Sequence, residues 1–310
     1  MSQICVKNLY KDYYGVMCIF DFNLEVAKKS TAVIFGGPGS GKTTVLKLIC
    51  GLEKSSSGEI LFNDEVPDKK LKTRNCALVT SSPLLFKFKS VYDNLAFGLS
   101  LRKESKAKIN SLIKDALAVT GSEYLLNKKK RELTFEQEQL VCLIRSVIRR
   151  PAVLLLDEPF SSLEYLEKFI KLSNHFEQTS IYATKKLEFV KKLNSHTAFL
   201  KDGQVLEQGM FSDIAFHPKK IDTAKLLQFN FFDTKIEKSK TFEQDDFKTV
   251  FAINPDCMSF KNKFKNRLRS SFIYSDKELN QSMCSVDGRG FIVSDYTERN
   301  YGETVDVYYN

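Results

Sequence analysis

The sequence predicts an α/β fold: antiparallel strands leading into a mixed-sheet core, a helical subdomain inserted in that core, and a small all-β domain at the C-terminal end. Three observations predict it. The apolar stretch Thr31-Ala32-Val33-Ile34-Phe35 is followed by Gly36-Gly37-Pro38-Gly39-Ser40-Gly41-Lys42-Thr43-Thr44 and then by a helix-like run over 45–50. The five apolar residues 152–156 end in two acids, Asp157 and Glu158. Beyond Thr249 the apolar residues fall in short, strand-like stretches. Strand, glycine-rich turn and helix in that order belong to α/β sheets, and a continuous apolar run bounded by polar residues reads as a strand covered on both faces.

Taken in order, residues 4–26 alternate. Ile4, Val6 and Leu9, then Ile19, Phe22, Leu24 and Val26, predict two antiparallel strands around a turn at Asp12-Tyr13-Tyr14-Gly15. Residues 51–58 read as a loop, 59–63 as a strand and 77–80 as another. From 102 to 126 the apolar residues Ile109, Leu112, Ile113, Ala116 and Leu117 recur at helical spacing, and Thr120-Gly121 ends the run. A second helix is predicted over 136–149, with Leu140, Leu143, Ile144, Val147 and Ile148 inward and Gln139, Arg145 and Arg149 on the wet side. A strand over 179–184, a helix over 185–194 and a hairpin turning at Lys201-Asp202-Gly203 follow, then helix-like sequence to about 229. Residues 230–245 read as a linker. The tail carries strand signals at 250–253, 271–274, 283–286, 291–293 and 305–309, with a turn at Asp287-Gly288. The expected division is therefore 1–230 and 231–310, with the helical subdomain at about 86–150.

Bulk properties narrow the possibilities. The chain has 310 residues, enough for one large domain and a smaller one. No apolar run approaches the roughly 18 residues of a membrane span. The start, Met1-Ser2-Gln3-Ile4-Cys5-Val6-Lys7, lacks the layout of a signal peptide, so the expected place is the cytosol, unless a membrane partner holds the chain. Seven scattered cysteines without a Cys-x-x-Cys pair point to reduced thiols, not to a disulfide framework or a zinc site. The net charge of +9 would suit nucleic acid, anionic lipid or a nucleotide. The lysines are spread along the chain, and the denser stretches at 128–131 and 261–269 lack the aromatic interleaving of a strong nucleic-acid module, although Phe260 and Phe264 come close. Nucleic acid is not the expected partner.

The chemistry concentrates in two stretches. Gly36 to Thr44 fits G-x-x-x-x-G-K-[ST] in its required strand–turn–helix setting. Its glycines allow successive backbone N–H groups to point inward at an anion, and the following helix adds the positive end of its dipole. Lys42 then reaches β- and γ-phosphates, and the Thr43 hydroxyl ligates Mg²⁺. Asp157 stands at the carboxyl end of its strand, where ligands of open α/β sheets lie, and a carboxylate there holds Mg²⁺ through water. Glu158 is placed to polarise a water for attack on the γ-phosphate. Two readings of Tyr13 and Tyr14 stay open: stacking on an adenine ring, or covering the sheet edge.

This order of features, over about residues 3–217, resembles the nucleotide-binding subunits of ABC transporters, especially the importer ATPases for sugars, polyamines and iron. Tyr13 falls at the family's adenine-stacking aromatic. Residues 36–44 match its Walker A loop. Residues 90–98 match the segment that faces the membrane subunit. Leu154-Leu155-Leu156-Asp157-Glu158-Pro159-Phe160-Ser161-Ser162-Leu163 matches Walker B and the D-loop, whose acid survives as Glu164. Residues 201–209 match the hairpin that closes the core. Ile253-Asn254-Pro255-Asp256 is similar to an Ile-Arg-Pro-Glu element of the family's small C-terminal β domain. The resemblance implies ATP and Mg²⁺ as cofactors, a second ABC ATPase subunit and membrane permease subunits as partners, and a place on the inner face of the cell membrane.

Three positions depart from the family. Its Leu-Ser-Gly-Gly-Gln signature, which reaches across a dimer to the γ-phosphate, is Leu133-Thr134-Phe135-Glu136-Gln137 here. Phe135 and Glu136 put side chains where the family has bare backbone, and Glu136 adds a negative charge. Two like unit charges about 4 Å apart repel by about 1 to 4 kcal/mol across plausible dielectrics. The Mg²⁺-sensing glutamine is replaced by Ser81, too short for the same reach without a bridging water. The switch histidine is replaced by Lys185, which can hold a γ-phosphate as a point charge but has no acceptor nitrogen. The leading expectation is an importer ATPase impaired at one composite site, as in a heterodimer where this subunit supplies one competent Walker site and one poor signature. The plainer explanation of the departures is sequence drift with activity kept. The competing one is an ATP-binding structural or regulatory subunit with little hydrolysis. A third, an ABC protein acting on DNA or ribosomes, is disfavoured by the absence of a second cassette.

Overall fold

The structure, a computed structural model, describes residues 2–63, 65–66, 74–216 and 218–228, and beyond them the strands given below. It divides into two units, Met1–Phe211 and Ser212–Asn310.

The first unit holds two sheets around one core. β1 (Ser2–Tyr13) and β2 (Val16–Ala27) form an antiparallel hairpin. Its turn residues Tyr14 and Gly15 have φ of 53° and 86°. Two positive values match the twist of the flanking strands. β3 (Thr31–Phe35) leads through the glycine-rich turn into α1 (Lys42–Cys50). β4 (Ser57–Phe62) pairs with β1 to give the antiparallel order β2-β1-β4. The second sheet takes β5 (Cys76–Thr80), β6 (Val153–Asp157), β7 (Ser180–Thr184), β8 (His196–Lys201) and β9 (Gln204–Met210) in the order β5-β6-β7-β3-β8-β9. All its pairings are parallel except the β8–β9 hairpin.

α1 lies between the sheets. Its residues Val45, Leu46, Leu48 and Ile49 share one buried cluster with Phe22 of the hairpin and Leu155 of the parallel sheet. β6 shows why its sequence does not alternate: Val153, Leu154, Leu155 and Leu156 are all fully buried, as a strand covered on both faces requires.

Between β5 and β6 run α2 (Val91–Leu101), α3 (Lys106–Thr120) and α4 (Phe135–Val147). Ser90 caps α2 in a reciprocal box with Asp93, and Ser105 caps α3. The apolar stripe of α4 is buried as its spacing requires. Gln139 corrects the expected wet side of that helix. It is buried, because its amide Nε2 donates to the Ser81 carbonyl at 2.9 Å and so secures the chain leaving β5. α5 (Leu163–His175) and α6 (Leu187–Leu193) follow β6 and β7. Among the described residues no helix is long and apolar enough to cross a membrane.

The second unit begins with two short helices, of which α7 (Phe211–Phe216) starts at the boundary and α8 (Ile221–Leu226) follows. β10 (Asn230–Asp233), β11 (Thr241–Phe242) and β12 (Val250–Ile253) form an antiparallel sheet in the order β10-β12-β11. The first part of the expected linker is thus a strand, because Asn230-Phe231-Phe232-Asp233 pairs with β12. β13 (Met258–Ser259), β14 (Asn266–Asp276), β15 (Gln281–Val286), β16 (Arg289–Val293) and β17 (Thr304–Tyr309) form a second antiparallel sheet in the order β13-β17-β14-β15-β16. The rest of the expected linker apart from β11, the Asp287-Gly288 turn, residues 254–256 of the Ile-Asn-Pro-Asp element and residues 261–265 of the basic stretch lie outside the described residues.

Candidate functional site

The glycine-rich turn is held from three sides. The Gly36 N–H donates to the Thr184 carbonyl at the end of β7, 3.3 Å away. A Cβ on Gly36 would stand 2.2 Å from the Leu200 carbonyl oxygen and 2.7 Å from Ser40 Oγ, so only glycine fits. The Gly203 N–H in the β8–β9 turn donates to the Ser40 carbonyl at 3.0 Å, and the Gly203 carbonyl accepts from Phe20 N–H of β2 at 2.9 Å. Gly203 itself has φ of 76°, and a Cβ there would come 2.1 Å from the Cys18 carbonyl. The hairpin after β8 is therefore a brace for the phosphate-type loop. The sequence marks it only as an Asp-Gly turn, which gives no hint of what it touches.

Parallel register brings the chemistry together. Phe35 pairs with Thr184, and Asp157 with Ala183, so β3, β7 and β6 end side by side. Lys42 is 5% exposed. Its Nζ donates to the carbonyls of Gly36 and Gly37 at 2.8 Å each and lies 3.8 Å from Glu158 Oε1. Burial lowers its pKa, and the carboxylates of Glu158 and Asp157 oppose that shift. Thr43 Oγ1 donates to Asp157 Oδ2 at 2.8 Å. Burial pushes the Asp157 carboxyl above the usual range, and the Thr43 bond draws it back. Glu158 follows β6 with φ of 46°, its N–H donating to the Ala183 carbonyl at 3.0 Å. That left-handed backbone is unusual for a residue with a side chain and is typical of functional sites. Lys185 Nζ stands 3.6 Å from Glu158 Oε2. The lysine expected at a γ-phosphate is thus paired with a carboxylate. Ser81 is tied through its carbonyl to Gln139, one residue beyond Thr80, which lies opposite Asp157.

These residues fit a nucleoside triphosphate with a hard divalent cation. A Cβ built on Gly37 or Gly39 meets no heavy atom within 4 Å, so the loop borders open space at both residues. Thr43 and Asp157 bring a hydroxyl and a carboxylate together, the oxygen donors that Mg²⁺ takes.

Tyr13 lies at the end of β1. Its Oη donates to the Glu53 carboxylate, which also pairs with Lys47 of α1 at 3.3 Å. Lys11 Nζ covers one face of the ring, 4.7 Å from its centre. Beside it, Ser56 Oγ donates to Asp12 Oδ2 and accepts from the Asp12 N–H at 3.1 Å, tying the hairpin to the loop after α1. Tyr14 points into solvent. The hydrogen bond to Glu53 pushes the Tyr13 phenol from 10.0 to about 12. A raised pKa means that this contact supports the fold fully below pH 10 and is lost as the pH climbs through about 12. In Glu53→Ala we expect the Tyr13 phenol to ionise near the ordinary 10.0, read by alkaline ultraviolet difference titration against Tyr13→Phe. An unchanged titration would show that Glu53 does not hold the ring.

The segment Leu133-Thr134-Phe135-Glu136-Gln137 opens α4. Thr134 Oγ1 accepts from Gln137 N–H at 3.3 Å, and Gln137 Oε1 accepts from Thr134 N–H at 3.1 Å. The helix start is therefore set by a capping box without glycine. Phe135 is 54% exposed. Glu136 Oε1 accepts from Ser161 Oγ at 3.4 Å, and Ser161 offers its carbonyl to Lys186 Nζ. Glu138, also in the first turn, pairs with Lys130 at 3.3 Å. Glu164 pairs with Lys168 at 3.1 Å. Ser161 falls within the D-loop match, but the sequence gives no sign of its contacts to Glu136 and Lys186.

A family model described as ABC transporter matches residues 19–161. The oligosaccharides import ATP-binding protein MsmX of Bacillus subtilis is 32% identical over 247 residues, which cover 76% of this chain and 68% of that protein. The chain belongs to the ABC transporter ATP-binding family. The uncharacterized ABC transporter ATP-binding protein YurJ of Bacillus subtilis is 32% identical over 231 residues, 72% of this chain. The Fe(3+) ions import ATP-binding protein FbpC of Photobacterium profundum is 31% identical over 231 residues, also 72% of this chain. The chain spans 63% of the length of YurJ and 66% of that of FbpC. Among solved structures, cbiO1 of Clostridium perfringens, part of the ABC transporter complex cbiONQ, superposes with a TM-score of 0.65 at 27% identity, covering 71% of this chain and 92% of its own. The mixed α/β fold of Met1–Phe211 is thus an ABC ATPase fold, with its antiparallel sheet, parallel sheet and helical subdomain.

Proposed function

We propose that this chain is the ATP-binding subunit of an ABC importer, acting on ATP and Mg²⁺ and coupled to membrane permease subunits on the inner face of the cell membrane. One observation carries the reading: Lys42 and Thr43 of the loop meet Glu158 and Asp157 at the end of β6. The reaction is ATP + water → ADP + phosphate. Bound Mg²⁺ supplies charge neutralisation of the phosphates. The chain's own residues do the rest. The loop 36–44 wraps the phosphates with backbone N–H groups, and Lys42 exchanges loop carbonyls for phosphate oxygens. Thr43 and Asp157 hold the cation, with Ser81 at the neighbouring strand end. Tyr13 offers the uncovered face of its ring to the base. Glu158 accepts a proton from the attacking water at Oε1. The first unit forms this ATP-binding domain, with its helical subdomain at about 86–150, and the second, which begins at Ser212 and not at the expected 231, carries the small β domain for regulation or dimerisation. For the permease, the apolar side chains of Leu84, Phe86 and Phe88 are exposed just ahead of the capped start of α2, and that of Leu101 is exposed at its end. Relatives of this chain are named for oligosaccharide, iron, spermidine/putrescine and molybdate/tungstate import. That spread of cargo supports selection of the solute by other subunits.

The second reading, an ATP-binding subunit with little turnover, draws on Phe135 and Glu136. A carboxylate at the helix start that should face a partner's γ-phosphate opposes closure, and points to a dimer with a second ATPase subunit whose own signature is intact. Both readings share a test. Lys42→Ala is expected to weaken ATP binding about 100-fold or more in an equilibrium titration with the wild-type chain as reference, because a buried charge-assisted contact to phosphate is lost. Retained affinity would overturn the binding site. Phosphate release by the wild-type chain then separates the readings: an ordinary turnover supports the ATPase, and binding without release supports the regulatory subunit.

A further inference from the structure

Lys185 and Lys186 follow the last residue of β7, and their side chains diverge. Lys185 Nζ goes to Glu158 Oε2 at 3.6 Å. Lys186 Nζ goes to the Ser161 carbonyl, in the stretch just after Glu158. The turn between them is fixed, because Lys186 N–H donates to Thr184 Oγ1 at 3.0 Å. Ser161 in turn holds Glu136. We infer that this lysine pair is a two-armed strap across the end of β6 and that Lys185 is a positioning residue for Glu158, not a ligand of the nucleotide's phosphate. The inference rests on the proposed ATPase reading and deepens it.

The geometry argues for this role in three ways. First, the two oxygens of Glu158 have separate partners, Lys42 on Oε1 at 3.8 Å and Lys185 on Oε2 at 3.6 Å. When Lys42 turns to phosphate, Oε1 is released to face a water while Oε2 stays held. Second, the backbone of Glu158 is in the left-handed region, a conformation that costs a residue with a side chain free energy. Contacts at its carboxylate and at Ser161 help to offset that cost. Third, Lys42 is buried within the phosphate loop itself, whereas Lys185 is 51% exposed on a long flexible stem. Lys185 can therefore follow the carboxylate through small shifts, as a point charge without directional demands.

A phosphate ligand and a positioning residue differ in what their loss changes. A γ-phosphate ligand contributes to ATP binding but not to ADP binding. A positioning residue contributes to turnover. In the full-length chain, Lys185→Ala is expected to lower phosphate release about tenfold or more, since small misplacement of a reacting group costs that much. The ratio of ATP to ADP affinity should stay within about twofold, the margin for sites that act independently. Lys185→Arg, which keeps a cation near Glu158, should restore most of the release. A fall in the ATP-to-ADP affinity ratio of about tenfold or more in Lys185→Ala would overturn the inference and make Lys185 a phosphate ligand. So would release that is unchanged by the substitution. If the wild-type chain binds ATP and releases no phosphate, the ATPase reading fails by itself, and the affinity ratio still decides the place of Lys185.

Discussion

Glu158→Gln is expected to keep ATP binding and to lower phosphate release by about 10²- to 10⁴-fold, the contribution typical of a positioned general base. Glutamine has the same shape but cannot take a proton. It also ends the pairings of Glu158 with Lys42 and Lys185. Lys42 keeps its bonds to Gly36 and Gly37, so the loop stays formed and ready for phosphate. Binding and turnover should thus separate cleanly, with affinity equal to or above that of the wild-type chain. The measurement is an equilibrium titration with labelled ATP beside a continuous phosphate assay. Release within about threefold of wild type would mean that another group activates the water.

Leu155→Ala is expected to cost the first unit a large part of its stability. Leu155 is fully buried in the middle of β6, in the cluster that includes α1. Truncation there removes about 2 to 5 kcal/mol, the range for buried leucines that leave a cavity. Part of the effect should reach the site, because Asp157 and Glu158 follow two and three residues along. Urea unfolding followed by circular dichroism would read the loss, and a loss below about 1 kcal/mol would show that α1 and β6 repack around the gap.

The elements of the first unit were legible wherever one face or both faces of an element are buried. Ile4, Val6 and Leu9 gave β1, the run ending at Asp157 gave β6, and Thr120-Gly121 ended α3. α2 went unassigned although Ser90 and Asp93 spell its cap, because the residues around Phe97 and Leu101 show no polar face for periodicity to work on. Gln139 was misjudged because residue type predicts exposure only when no neighbouring backbone needs a donor, and the Ser81 carbonyl does. In the site, the loop and the two acids carry local signals. Of the partners that tune them, Gly203 and Glu53 come from stretches far away in sequence, and Lys186 is brought to Ser161, three residues after Glu158, because β6 and β7 end side by side. Lys185 was visible as a substitution, but its choice between carboxylate and phosphate depends on where Glu158 points, and that follows from a backbone conformation no residue pattern announces.

The sheet order also sets when this protein can become functional during synthesis. β3, which carries the phosphate loop, pairs with no strand made near it in time: Thr31 and its partner Ser180 are 149 residues apart. At the usual 5 to 20 residues per second, the ribosome needs about 7 to 30 s to deliver that neighbour. The brace at Gly203 arrives later still. Until then the nascent chain displays Lys42 and its glycines without the frame that shapes them, and the early hairpin of β1 and β2 exposes the apolar face meant for α1. Long-range parallel pairing of this kind is slow and leaves sticky intermediates. The chain thus translates its nucleotide-binding sequence early and gains a nucleotide site late, which makes the interval between residues 35 and 203 the period when a chaperone matters most.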